Sequence, residues 1–344
     1  MNQLIQIDGQ NGGGQMLRTA LSLAMITGQP FRMTHIRGLR KKPGLMRQHL
    51  TCVKAACEIS DGSTDGAEIG STELVFRAGQ VRGGSYQFAI GTAGSTSLLF
   101  QTLLPALIQA DGPSTLRLEG GTHNPMAPPF EFLDSVFLPA LRKMGIAAEI
   151  SLIETGFAPA GGGIIESTIQ PCEDFSPINL HDRGELQSLS IRVPIRHLHE
   201  SIAQRVLDSA LKALPCEDAA IETREPGPGR GVACLIAARF GNAGELASGL
   251  GEFGVSSEAV GHRAAKSMKH FLDAGIPVGR HLADQLLLPM ALAGSGSFTT
   301  IAPDPHVAAN IAVIEKFLPV KFKIDPTERG RWVITVEKSA HHMI

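Results

Sequence analysis

Residues 4 to 21 read LIQIDGQNGGGQMLRTAL: an apolar alternation at Leu4, Ile5 and Ile7, then Asp8-Gly9, three consecutive glycines and a helix-forming run. This is how a strand is written when it turns through a glycine-rich loop into a helix. The glycines themselves have two readings. Gly12, Gly13 and Gly14 can cradle an anion on the N–H groups of a helix start, or form a tight turn where a helix packs close on a sheet. The spacing matches neither GxGxxG nor GxxxxGK[ST], so the stretch decides local structure and leaves the ligand open.

Working outward, the same order of elements recurs. The opening copy continues with a strand at about 31 to 37, a helix at about 44 to 59 and short strands near 64 to 69 and 72 to 77. A second copy runs SYQFAIG, STSLLFQTLLPALIQA, STLRLEG, PPFEFLDSVFLPALRKMG, AAEISLI and GGIIESTIQ; its join, GTAGSTSLLFQTLL, echoes NGGGQMLRTALSL. A third is read from RHLADQLLLPMALAG, SFTTIAP, HVAANIAVIEKF, VKFKID and RWVITVE. Its opening strand is missing from that place and is expected at LQSLSIRVPI, 186 to 195, or nearby. Between them lies a segment with its own pattern: helix ESIAQRVLDSALKAL, strand AAIETRE, turn PGPGRG, strand VACLIAARF and helix SSEAVGHRAAKSMKHFLDAG. The expected fold class is α+β or α/β. Three βαβαββ-type repeat units form a large domain (1–185 and 276–340), with a smaller α/β domain inserted at 186–275.

Composition bounds the rest. The 344 residues are 43% hydrophobic and 19% charged, with no apolar run long enough to cross a bilayer. No basic segment leads into an apolar stretch at the N-terminus, so a cytoplasmic location is expected. A net charge of -2 gives the whole molecule no strong pull on nucleic acid. Locally, RGLRKKPGLMR at 37 to 47 is basic throughout, either as a solvated loop or as a phosphate contact. Five cysteines without CxxC indicate neither a disulfide framework nor a zinc site and read as small core residues. Among twelve histidines there is no HExxH. His341 and His342 lie on the tail, and His181, His197, His199, His262 and His270 read as surface. His306 stands apart at a helix entry after Pro-Asp-Pro, where the helix dipole favours a neutral imidazole; capping or packing would also explain it. Functional residues are expected where glycine-rich helix starts converge. That makes candidates of Asp8, Asn11, Gln15, Arg18, Gln101, His281, Asp284 and Gln285.

The stretches DGQNGGGQMLRTALSLAMITGQPFRMTHIRGLRKKPGLMRQHLTCVKAA, GTAGSTSLLFQTLLPAL, PAGGG, HLADQLLLPMALAGSGSFT and PHVAANIAVIEKFLP together resemble the RNA 3'-terminal phosphate cyclases. The resemblance spans nearly the whole chain and is weakest at about 196 to 275. It implies that ATP is used to convert an RNA 3'-phosphate to a 2',3'-cyclic phosphate through a covalent histidine-AMP and an adenylylated RNA end. By the same resemblance His306 is the nucleophile, and Gly12, Gly13, Gly14, Gln15, Arg18, Gln101, Asp284 and Gln285 line the nucleotide site. Pro128 and His281 flank the adenine. Arg37, Arg40, Lys42, Arg47, Gln48 and His49 meet phosphate and the RNA 3' end. The family usually has a glutamate before the triple glycine, placing Mg²⁺ or Mn²⁺. Here Asn11 stands instead, and weaker metal binding is expected. His281 likewise replaces an aromatic ring, often tyrosine. The competing expectations are a non-catalytic cyclase-like scaffold in ribosome biogenesis, which would lack the nucleophile, an enolpyruvyl transferase, and a phosphate-binding module without chemistry.

Overall fold

The protein is described from a computed structural model covering residues 4–224 and 227–339, so His341, His342 and the expected domain end at 340 lie outside the described residues. It is a mixed α/β molecule of four four-stranded sheets and their covering helices.

The quoted stretch forms β1 (Ile5–Asp8) and α1 (Gly14–Thr27), followed by β2 (Phe31–Thr34), α2 (Arg47–Ser60), β3 (Ser63–Asp65) and β4 (Leu74–Arg77). The sheet order is β1-β2-β4-β3, with β1 and β2 parallel and the other pairs antiparallel. Helix α1 ends at Gly28, whose φ of 67° closes the last turn with an N–H donated to Ala24 O. Every residue from Met16 to Met25 except Arg18 is buried, as befits a helix apolar nearly all round that occupies the middle of the molecule.

The next segment gives β5 (Ser85–Ala89), α3 (Thr96–Leu107), β6 (Ser114–Gly120), β7 (Ala148–Glu154) and β8 (Gly163–Ile169), in the order β5-β6-β8-β7. Between β6 and β7, helix α4 is built of abutting pieces, Phe130–Phe132, Leu133–Phe137 in π geometry and Leu138–Arg142. Ser95 caps α3 by accepting the Leu98 N–H at 3.2 Å.

The opening strand expected at 186 to 195 lies upstream, in the two residues of β9 (Asn179–Leu180). Two residues between a proline-rich connection and a polar loop carry no readable alternation. LQSLSIRVPI instead falls in β10 (Leu186–Arg196), the long strand at the middle of a separate sheet ordered β11-β10-β12-β13. That sheet carries α5 (Glu200–Ala213), β11 (Asp218–Thr223), β12 (Gly231–Phe240), β13 (Gly244–Leu250) and α6 (Ser257–Ala274). Strand β13 was not expected: ELASGL follows a tight Phe240–Ala243 turn and is too short and mixed to stand out. Both faces of β12 are covered, which its near-continuous apolar run encodes. Val232, Cys234, Ile236, Ala238 and Phe240 face a core shared with α5 and α6, while Ala233 and Leu235 join the main core.

The chain then forms α7 (Arg280–Ala293), β14 (Ser295–Ile301), α8 (Pro305–Phe317), β15 (Val320–Pro326) and β16 (Arg331–Lys338), in a sheet ordered β15-β16-β14-β9 with β9 and β14 parallel. Helix α1 packs on both α3 and α8, and α7 packs on α8. All five thiols are free, with Cys52 and Cys234 buried. Among the described residues no helix is long and apolar enough to cross a membrane.

Candidate active site

Asp304 defines the start of α8. Its carboxylate accepts the N–H groups of His306 at 2.8 Å and Val307 at 3.3 Å, with Pro305 pre-set for the first turn. Burial would raise its pKa, but the Arg280 guanidinium at 2.8 Å and the His306 N–H hold it below the usual carboxylate value. The cap presents the half-buried His306 side chain to α1. There Nδ1 lies 2.6 Å from Gln15 Oε1.

A carbonyl oxygen can only accept, so Nδ1 carries the proton and Nε2 is left with a bare lone pair. The Gln15 amide cannot turn round, because its Nε2 donates to Asp284 Oδ1 at 2.5 Å and to His306 O at 3.4 Å. Asn310, one helical turn beyond His306, donates to the same Asp284 oxygen at 2.8 Å and accepts the Thr19 hydroxyl at 2.7 Å. Burial first, and Asp304 second, push the Asp284 carboxyl up to about 6, against the pull of His306 and the two amide donors. Thr19 and Asn310 are the members of this network that sequence reading missed. The available signal was the i, i+4 placement of Asn310 behind His306 on an otherwise apolar helix.

A second histidine faces the glycines. His49 Nδ1 accepts the Met46 N–H at 3.1 Å, so the neutral ring carries its proton on Nε2. Burial, then Arg18 and Arg37, push its pKa down to about 3. A β-carbon on Gly14 would overlap His49 Nε2 and approach Arg18 Nη1 to 3.2 Å, while one on Gly13 would come within 3.1 Å of Arg40 Nη2; one on Gly12 would overlap Met16. The glycines therefore hold open a space on which two guanidinium groups and an imidazole N–H converge. The Arg18 guanidinium makes no hydrogen bond among the described residues, and it lines a cavity of about 100 Å³ with Gln15, Gln101, Asp284, Gln285 and Asn310. Gln101 bridges to Gln285 at 2.5 Å. Gln48 is tied to the start of α3 by the Ser95 N–H at 3.0 Å.

Other expected residues lie further out. Arg37 is turned back on its own loop, donating to Gly44 O at 2.9 Å, and Lys42 and Arg47 are exposed. Pro128 and His281 line a separate cavity of about 370 Å³ between the α7 start and β13. Asn11 is exposed, Asp8 beside it is held by His35 at 3.1 Å, and no group of three or more His, Cys, Asp or Glu able to hold a metal occurs among the described residues. A single neutral amide does not make a resident metal site.

In this mixed α/β body a histidine held on Nδ1 stands beside a basic, glycine-walled space. The chain belongs to the RNA 3'-terminal phosphate cyclase family, whose model matches residues 10–324. It is 46% identical over 337 residues to the RNA 3'-terminal phosphate cyclase of Ectopseudomonas mendocina, covering 97% of both chains. It is 45% identical over 336 residues to that of Ralstonia nicotianae, covering 97% of this chain and 96% of the other. Among solved structures, the enolpyruvyl transferase NikO from Streptomyces tendae aligns over 97% of this chain and 48% of that one, at a TM-score of 0.38 and 11% identity.

Proposed function

We propose that this protein converts an RNA 3'-terminal phosphate to a 2',3'-cyclic phosphate at the expense of ATP, with His306 as the covalent carrier of AMP. The observation that carries this is the Gln15 Oε1 to His306 Nδ1 contact at 2.6 Å, which leaves Nε2 as the free nucleophile. Nε2 attacks the α-phosphorus, its bond to phosphorus forms as the bond to pyrophosphate breaks, and Gln15 Oε1 keeps the Nδ1 proton in place. The P–N link then carries a cationic ring at a helix start, where the macrodipole disfavours it and makes it a good leaving group. The RNA phosphate takes up AMP, and its neighbouring 2'-hydroxyl displaces AMP to close the ring.

His49 Nε2–H, Arg18, Arg40 and the N–H groups at Gly13 and Gly14 supply donors for the phosphate charge, while the Gly12 N–H closes the turn on Gly9 O at 3.3 Å. Gln48 stands beside them, Gln101 and Gln285 close the nucleotide site, and Pro128 and His281 flank the base. Arg37, Lys42 and Arg47 line the approach of the RNA 3' end. A divalent metal, Mg²⁺ or Mn²⁺, would be held chiefly by the nucleotide's own phosphates, with Asn11 as a neutral contact. Three sheets share the order first-second-fourth-third, which supports three βαβαββ units with an insert at 186–275. The test is incubation with α-labelled ATP and metal. Acid-labile, alkali-stable label is expected on the wild-type protein and none on His306→Ala; label retained on that variant refutes the assignment.

A further inference from the structure

Helix α6 divides lengthwise. Val260, Gly261, Ala264, Ala265, Met268 and Phe271 are buried in the core it shares with α5 and the insert sheet, which holds the helix in place. The opposite face is exposed and basic: Arg263, Lys266 and Lys269 follow one another at three-residue spacing, with His262 and His270 beside them. The three cations span about 9 Å of helix axis. None of them makes an ion pair among the described residues. Glu258, the acid at the start of the helix, is engaged by Arg205 of α5 at 3.6 Å, and Asp273 lies a turn beyond Lys269. A merely solvated helix face interleaves charges of both signs, and the whole chain carries a net charge of -2, so this row is a local feature and not a general excess of base. It also has a direction. Ser267 and His270 line the cavity of about 370 Å³ between β13 and the α7 start, and Arg280 on its wall holds Asp304, the cap that presents His306. The row therefore leads from the outer surface of the insert to the rim of the candidate active site.

We propose that this face of α6 is a track for the phosphodiester backbone of the RNA substrate, holding the strand upstream of its 3'-phosphate. The inference rests on the reading of the His306 site as one that receives an RNA 3' end. Lysine and arginine on a fixed helix meet phosphate by charge and read no base, so recognition here is independent of sequence and grows with strand length. The insert thereby gains a task separate from the chemistry with ATP. None of the three cations belongs to the hydrogen-bond network of Gln15, Asp284 and His306, so transfer of AMP to the protein, which needs no RNA, proceeds without them.

The experiment compares a single-stranded RNA 3'-phosphate of about 12 nucleotides, long enough to reach several phosphates beyond the site, with a dinucleotide 3'-phosphate. Binding of the long strand is read by fluorescence anisotropy at several salt concentrations, and KM and kcat for cyclisation are measured on both substrates. In the triple variant Arg263→Gln, Lys266→Gln, Lys269→Gln, the Kd and KM for the long strand should rise about 10-fold at moderate salt. The slope of log affinity against log salt should fall by about 2, at roughly 0.7 for each lost phosphate contact. Values of kcat, the dinucleotide KM and the yield of α-labelled protein should stay within about twofold of wild type. The charge-keeping triple variant Arg263→Lys, Lys266→Arg, Lys269→Arg should retain long-strand affinity. Unchanged long-strand binding in the glutamine variant, or an equal rise in KM for both substrates, overturns the proposal. Unchanged binding with an altered oligomeric state assigns the face to a protein contact and overturns it as well. Strand binding that depends on these cations in a protein that takes no label rejects the proposed chemistry and upholds the track; label and cyclisation with binding indifferent to them do the reverse.

Discussion

The two histidines of the site are opposite tautomers of one side chain. At the start of α8, His306 is held by an acceptor on Nδ1 and presents a bare Nε2; in the first turn of α2, His49 is held by a donor on Nδ1 and presents an Nε2–H. In the proposed reaction the difference separates a nucleophile from a hydrogen-bond donor without any change of residue type. Their electrostatic settings differ too. His306 shares its network with a carboxyl raised to about 6, whereas His49, beside Arg18 and Arg37, is held neutral by a pKa of about 3.

The comparison breaks most sharply at Gln15. Gln15→Leu keeps the bulk but frees the His306 tautomer, and label formation should fall on the order of 100-fold, with ATP binding changed much less. A loss confined to binding would remove the tautomer argument. His49→Phe removes a donor and the acceptor of the Met46 N–H together. We expect roughly 10- to 100-fold slower labelling and about 1 kcal/mol lower stability, the latter read from denaturant midpoints. Because His49 stays neutral, the ratio of wild type to variant should be constant between pH 5 and 9; a ratio that follows a titration in that range contradicts the assignment.

Asp284 sharpens the other side. Its folded pKa of about 6 exceeds its ordinary 3.8, so the native state binds more protons than the unfolded chain between these values and stability falls as pH rises through them. Asp284→Asn should lose that slope in thermal melts, while His49→Phe should keep it. The smallest effect is expected at Asn11. Asn11→Glu should lower the half-saturating Mg²⁺ or Mn²⁺ concentration for labelling by about two- to fivefold, and Asn11→Ala should raise it. Indifference to both changes would remove Asn11 from the metal's surroundings.

Much of the fold was legible because its signals are local. The glycine-rich joins before α1 and α3 and the apolar helices that follow them are written in consecutive residues. What escaped was short or shared: β9 has two residues, and β13 earns its place only by pairing with β12. The site divides in the same way. Helix starts and the Asp304 cap are local features, so His306, Gln15 and Asp284 could be picked out as candidates. Thr19 and Asn310 join through partners far along the chain.

By itself the sequence determined which residue types were available, where the strands turn into helices, and that the basic loop and glycine run lie near one another in the chain. Only the tertiary structure decided what each does. Gln15 and His306 are 291 residues apart, and a tautomer is set by the atom that touches the ring, which no spacing along the chain specifies.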